Sequence, residues 1–214
     1  MSRVLDEKTR NDVRKMFGLM KNPVRIMLFE DYSNGFSQFA KQILTEVSEL
    51  NDNIKLSVYN SSDPLFSIHK VEKTPCVMLK SNGMNFKYYG SPSGYQFQPM
   101  VENIIDVSFN FTHLNEKVKN KVLKIKKPTS IKLFVTPTCP YSPLMVRSAF
   151  KFAFTNSNIE TTIIETNEFE DMIQKFKISN VPKVIIKGKK SISFEGAIPE
   201  EKFASYLLKA NNQR

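Results

Sequence analysis

Val135-Thr-Pro-Thr-Cys139-Pro-Tyr-Ser142-Pro143 joins an apolar run, residues 131–135, to the helical pattern Leu144, Met145, Ala149, Phe150, Ala153, Phe154. The spacing places Cys139 where a strand turns into a helix. Free backbone N–H groups and the positive end of the helix dipole lie at such a turn. Both stabilise a thiolate, the reactive form of cysteine. Pro140 suits the first helical position, where a missing N–H costs nothing. The plain alternative is a small apolar cysteine buried before a helix. Polar and turn residues around Cys139, and Val181-Pro182 downstream, favour the reactive reading.

Working outward, the rest of the second half continues the pattern. Helices are expected over 113–125, 141–155, 168–176 and 199–209, and strands over 131–135, 159–165, 183–187 and 191–195. The first half has the same order: helices over 3–19, 36–50, 63–70 and 94–107, strands over 24–29, 54–59, 75–80 and 85–89. Ser62 or Asp63 suits the cap of the short helix. Ser81-Asn-Gly83 reads as a hairpin turn. Phe29 answers to Phe134, Pro75 to Pro182 and Gly90 to Gly196, so the chain is internally duplicated. The predicted units are residues 1–112 and 113–214, a usual domain size. The β-α-β start of each unit asks for parallel pairing and the closing hairpin for antiparallel pairing. The expected class is α/β: two tandem units, each a central mixed four-stranded sheet flanked by helices.

Composition sets limits. The chain has 214 residues, 41% apolar and 24% charged, ordinary for a globular protein. No apolar run approaches the roughly 18 residues of a membrane span, and the first residues lack a signal-peptide pattern. No membrane association is expected. Two cysteines exclude a disulfide framework and most cysteine-based zinc sites, so a cytoplasmic setting is expected. Residues 1–112 hold 13 Lys/Arg against 12 Asp/Glu, and residues 113–214 hold 18 against 9. The positive half thus carries Cys139. A solvated surface explains such charge, and it also attracts acidic partners. No nucleic-acid motif accompanies the Lys clusters at 117–127 and 187–190, so nucleic acid is not expected as a partner.

The strand and helix order, with Cys139-Pro-Tyr-Ser142 after the first strand and Val181-Pro182 before the later hairpin, resembles the thioredoxin and glutaredoxin fold. The doubled arrangement resembles the archaeal protein disulfide oxidoreductases. The stretch Phe134 to Arg147, with Val181-Pro182-Lys183 and Phe194-Glu-Gly-Ala197, carries the likeness. In that family each unit has a Cys-x-x-Cys pair. This chain departs from it twice. Ser142 replaces the second cysteine of the second unit, and Asp31-Tyr-Ser33-Asn-Gly-Phe36 holds none in the first. The first site is therefore read as degenerate, at Ser33, Phe36, Thr74 and Pro75.

The resemblance implies monothiol exchange at Cys139, in the manner of monothiol glutaredoxins. Substrates are protein disulfides or mixed disulfides, and a low-molecular-weight thiol or a thioredoxin-type reductant resolves the product. Ser142 is expected to donate a hydrogen bond to the Cys139 thiolate. Pro140 and Tyr141 are expected at the substrate side. The resemblance also implies a cis Pro182, with Val181 offering its backbone to an extended substrate. Cys76 is read as core, its rival role being a resolving thiol. No cofactor and no metal site is expected. An iron–sulfur role is the weaker option, since Pro140 is stiffer than the glycine usual at such sites. The competing function is a redox-inactive thioredoxin-fold binding module or client-holding scaffold.

Overall fold

The computed structural model describes residues 3–80 and 83–212. Ser81 and Asn82 of the expected hairpin turn lie outside the described residues. The elements run α1 Glu7–Phe17, β1 Val24–Glu30, α2 Gly35–Ser48, β2 Ile54–Asn60, α3 Leu65–Ile68, β3 Cys76–Leu79 and β4 Asn85–Tyr89. A short 3-10 turn, Gly94–Gln96, then leads into α4 Phe97–Phe109. The second series is α5 Glu116–Leu123, β5 Thr129–Val135, α6 Ser142–Thr155, β6 Ile159–Glu165, α7 Glu170–Phe176, β7 Lys183–Lys187, β8 Ser191–Glu195 and α8 Glu200–Asn211.

The strands lie in the order β2-β1-β3-β4-β6-β5-β7-β8. Within each series the first two strands are parallel and the hairpin is antiparallel. Two tandem thioredoxin-like units are thus present. Their two sheets are not separate: β4 pairs parallel with β6, from Asn85 against Glu160 to Tyr89 against Ile164. This joins them into eight strands and satisfies an edge that each unit would otherwise expose. Arg147 of α6 adds ion pairs to Glu102 and Asp106 of α4, both at 2.8 Å.

Strand alternation builds two apolar layers. Ile26 and Leu28 of β1, with Ile131, Leu133 and Val135 of β5, face α2, α4, α6 and α8. Met27, Phe29 and Phe134 face the opposite layer with Cys76, Tyr89, Ile164, Phe169 and Met172. Cys76 is wholly buried there. Burial pushes its thiol up to about 12, with the Lys87 charge a lesser, opposing influence.

Several boundaries differ from the sequence expectation. Helix α1 is shorter than 3–19, because Asp6 caps it by accepting from Thr9 N at 2.7 Å. The helix expected from Gly94 opens as a 3-10 turn, with Gly94 at φ 55°. Asp63 does accept from Leu65 N, at 2.8 Å, ahead of α3.

Candidate functional site

Strand β5 ends at Val135, and the chain turns through Thr136, Pro137 and Thr138 before Cys139. The Cys139 N–H donates back to Thr136 O at 3.3 Å, closing the turn. Pro140 is not at the first helical position: α6 begins at Ser142, and Pro143 occupies its first turn. The tight turn at 140–141 delays the helix. Cys139 is 9% exposed, while Tyr141 beside it is 68% exposed. The thiol is therefore sunk at the edge of an open aromatic and apolar rim of Tyr141 and Leu144.

The Val181-Pro182 bond is cis. The Cys139 S–H points at Val181 O, 3.7 Å away. The fold therefore brings Cys139, Val181 and Pro182 together from residues 42 apart. Ser142 follows Cys139 by three residues but does not bond to it. Its hydroxyl is buried and has no hydrogen-bond partner among the described residues. Ser142 is the first residue of α6. No side chain caps α6, so the first N–H groups of the helix face the Cys139 turn without a side-chain acceptor.

The first unit has the same frame with different chemistry. Thr74-Pro75 is also cis. The side chain that meets Thr74 O is that of Asn34, whose Nδ2 donates at 3.4 Å. Its Oδ1 accepts from Phe36 N at 2.8 Å and caps α2. Ser33 turns away, donating to Asp31 Oδ1 through its N–H and its hydroxyl at 2.9 and 2.8 Å. Phe36 is an exposed first-turn residue of α2. Sequence reasoning missed Asn34. The signal was available: Asn34 precedes Cys139 by 105 residues, the same spacing that relates Phe29 to Phe134.

Two carboxylates that sequence reasoning also missed lie beside this turn. Glu165 ends β6 opposite Val135. Burial raises its carboxyl to about 7, against the N–H of Asn167 and with the Glu168 charge adding to the rise. Glu168 is raised by burial, against the hydrogen bond it accepts from Ser91 N at 2.8 Å. Gly90 lets the backbone pass: a β-carbon there would strike the Glu165 side chain.

Residues 129–209 match the thioredoxin domain family. A protein disulfide oxidoreductase from Aeropyrum pernix has the same fold, with a TM-score of 0.87 and 28% identity, over 98% of this chain and 95% of that one. The chain is a tandem thioredoxin-fold protein similar to that protein disulfide oxidoreductase. The alkylhydroperoxide reductase AhpF of Enterococcus faecalis shares the fold at a TM-score of 0.85 and 24% identity, over 95% of this chain and 99% of that one. An NADH dehydrogenase of Bacillus subtilis is 25% identical over 189 residues, 86% of this chain and 35% of the relative. The chain therefore spans about a third of the length of the curated relatives it matches. Among the described residues no helix is long and apolar enough to cross a membrane. Among the same residues no group of three or more His, Cys, Asp or Glu side chains is placed to hold a metal ion.

Proposed function

We propose that this tandem oxidoreductase works by a monothiol route, with Cys139 as its nucleophile. Residues 1–112 form the thiol-free unit and residues 113–214 the reacting one, where "thiol-free" describes the site at Asn34 and not the core residue Cys76. The observation that carries this reading is the pairing of Cys139 Sγ with Val181 O at a cis proline, in front of an uncapped helix. An anionic sulfur there faces free N–H groups and the helix dipole.

The step balances as an exchange. The Cys139 thiolate attacks one sulfur of a disulfide, the S–S bond breaks, and the other sulfur leaves as a thiolate and takes a proton from water. Cys139 is then held in a mixed disulfide. Ser142 cannot resolve it, and Cys76 is buried in β3. A low-molecular-weight thiol or a thioredoxin-type reductant attacks the client sulfur, forms a new disulfide with it and releases the Cys139 thiolate. Val181 and Pro182 line the path of an extended substrate, and Pro140 and Tyr141 form its outer wall. A cytoplasmic site of action suits a thiol that must stay reduced.

The test is exchange between the full chain and a glutathionylated protein substrate. Cys139→Ala should abolish turnover and Cys76→Ala should retain it. Turnover surviving Cys139→Ala would end this reading. A second reading, a client-holding module without turnover, is favoured by the low exposure of Cys139. It predicts client binding that survives Cys139→Ala.

A further inference from the structure

The turn that carries Cys139 is held by the other unit. Gln96 belongs to the 3-10 turn before α4 and is fully buried. Its Nε2 donates to Thr136 O at 2.9 Å. The same oxygen accepts from Cys139 N at 3.3 Å. Next to it, Tyr95 N donates to Pro137 O at 2.8 Å. The two backbones approach so closely that a β-carbon on Gly94 would collide with Pro137 O. The segment is itself anchored on both sides. Ser91 Oγ donates to Phe36 O in the first unit at 3.1 Å, and Ser91 N donates to Glu168 in the second at 2.8 Å.

We infer that Gln96 is a positioning residue for Cys139, so that the reacting site is composite and the first unit is part of it. The inference rests on exchange at Cys139. A carbonyl with two lone pairs accepts two donors. On Thr136 O, one donor is the N–H of the nucleophile's own residue and the other is Gln96. Gln96 thereby fixes the plane of the Thr136 carbonyl, and through it the direction of Cys139 N–H and of Sγ toward Val181 O. Tyr95 and Gly94 hold the adjacent peptide in the same way. Removing the amide donor leaves Thr136 O short of one partner and frees the turn to rotate. A misplacement of the reacting atom of this kind lowers rate more than it lowers stability. The Gln96 Oε1 atom has no partner among the described residues. Nothing in the fold therefore requires an amide rather than an apolar side chain at position 96, apart from the bond to Thr136 O.

The experiment measures the rate at which Cys139 forms a mixed disulfide with 4,4′-dithiodipyridine. It uses the full chain in a Cys76→Ala background, with thermal melts recorded alongside. Gln96→Leu should react about tenfold more slowly, the worth of one hydrogen bond. Gln96→Glu supplies a readout that loose packing would not move. Its protonated carboxyl can donate to Thr136 O, and its ionised form cannot. Its rate relative to the parent should therefore be near one at pH 5 and fall about tenfold by pH 8. Two results would overturn the inference: a Gln96→Leu rate within twofold of the parent, or a Gln96→Glu ratio flat with pH. If the parent itself reacts no faster than free glutathione, it is the exchange reading that fails, and the variants' ratios still judge the positioning role.

Discussion

Asn34 and Cys139 stand 105 residues apart in sequence and at the same point of two copies of one frame. Each addresses the carbonyl before a cis proline, Asn34 through Nδ2 and Cys139 through Sγ. They differ in what happens to the helix behind them. Asn34 uses its second polar atom on the N–H of Phe36 and caps α2. Cys139 has no such atom, and α6 has no side-chain cap. One frame thus carries an amide at this point in one unit and a thiol in the other. Asn34 stands at the N-cap of α2, whereas Cys139 stands three residues ahead of Ser142, where α6 begins.

The largest expected effect sharpens that contrast. Cys139→Asn, like Cys139→Ala, should lose all measurable exchange. Neither variant should cap α6, because position 139 stands three residues ahead of Ser142, where the helix begins, so the two should unfold at the same denaturant concentration. A more stable Asn variant would mean that the α6 turn can close as the α2 turn does.

A further effect comes from the junction. Asn60 ends the outer strand β2, while Glu165 ends the inner strand β6, where β4 and Gly90 cover it. Glu165 has a folded value of about 7 against an ordinary 4.5. The folded state thus binds the proton more tightly than the unfolded one. The penalty is absent below the unfolded value, grows as pH rises from about 4.5 to about 7, and is full above. Stability should fall across that window by an amount on the order of 3 kcal/mol. Glu165→Gln should flatten the slope. An unchanged slope in that variant would assign the pH dependence elsewhere.

The smaller effects concern the first site. Asn34→Ala should cost about 1 kcal/mol of stability through loss of the α2 cap and leave Cys139 exchange unchanged. Asn34→Cys should cost a similar amount and add a second thiol that labels with a small disulfide in the folded protein, unlike Cys76. Failure to label would show that the two frames differ in access as well as in residue.

Much of this frame was legible in the sequence, because each element carries a period or a punctuating residue. Phe36, Phe39, Ala40, Ile43 and Val47 mark α2. Pro75 and Pro182 mark the later hairpins. The joined sheet was not read, although β4 and β8 differ in a way that signals it. Asn85–Tyr89 ends in buried residues on both faces, whereas Ser191–Glu195 alternates between exposed and half-buried positions. Strands covered on both sides lose alternation. The meeting of Cys139 with Val181 and Pro182 was legible because motif and proline mark those positions. Asn34 was displaced by a frame set one position upstream, on Ser33 and Phe36. Ser142 was given a bond to Cys139 that the structure does not contain, its hydroxyl being buried without a partner among the described residues. Gln96, Glu165 and Glu168 left no pattern, since a single buried polar side chain reaching across a unit junction has no periodicity.

The central claim is that Cys139 is the reacting thiol of a site with no internal resolver. The most direct test is mass spectrometry of the full chain after incubation with glutathione disulfide at neutral pH, with peptide mapping. The account predicts one glutathione adduct, on Cys139, that persists until a small thiol is added. An adduct on Cys76, a Cys76 to Cys139 disulfide, or no adduct at all would contradict it.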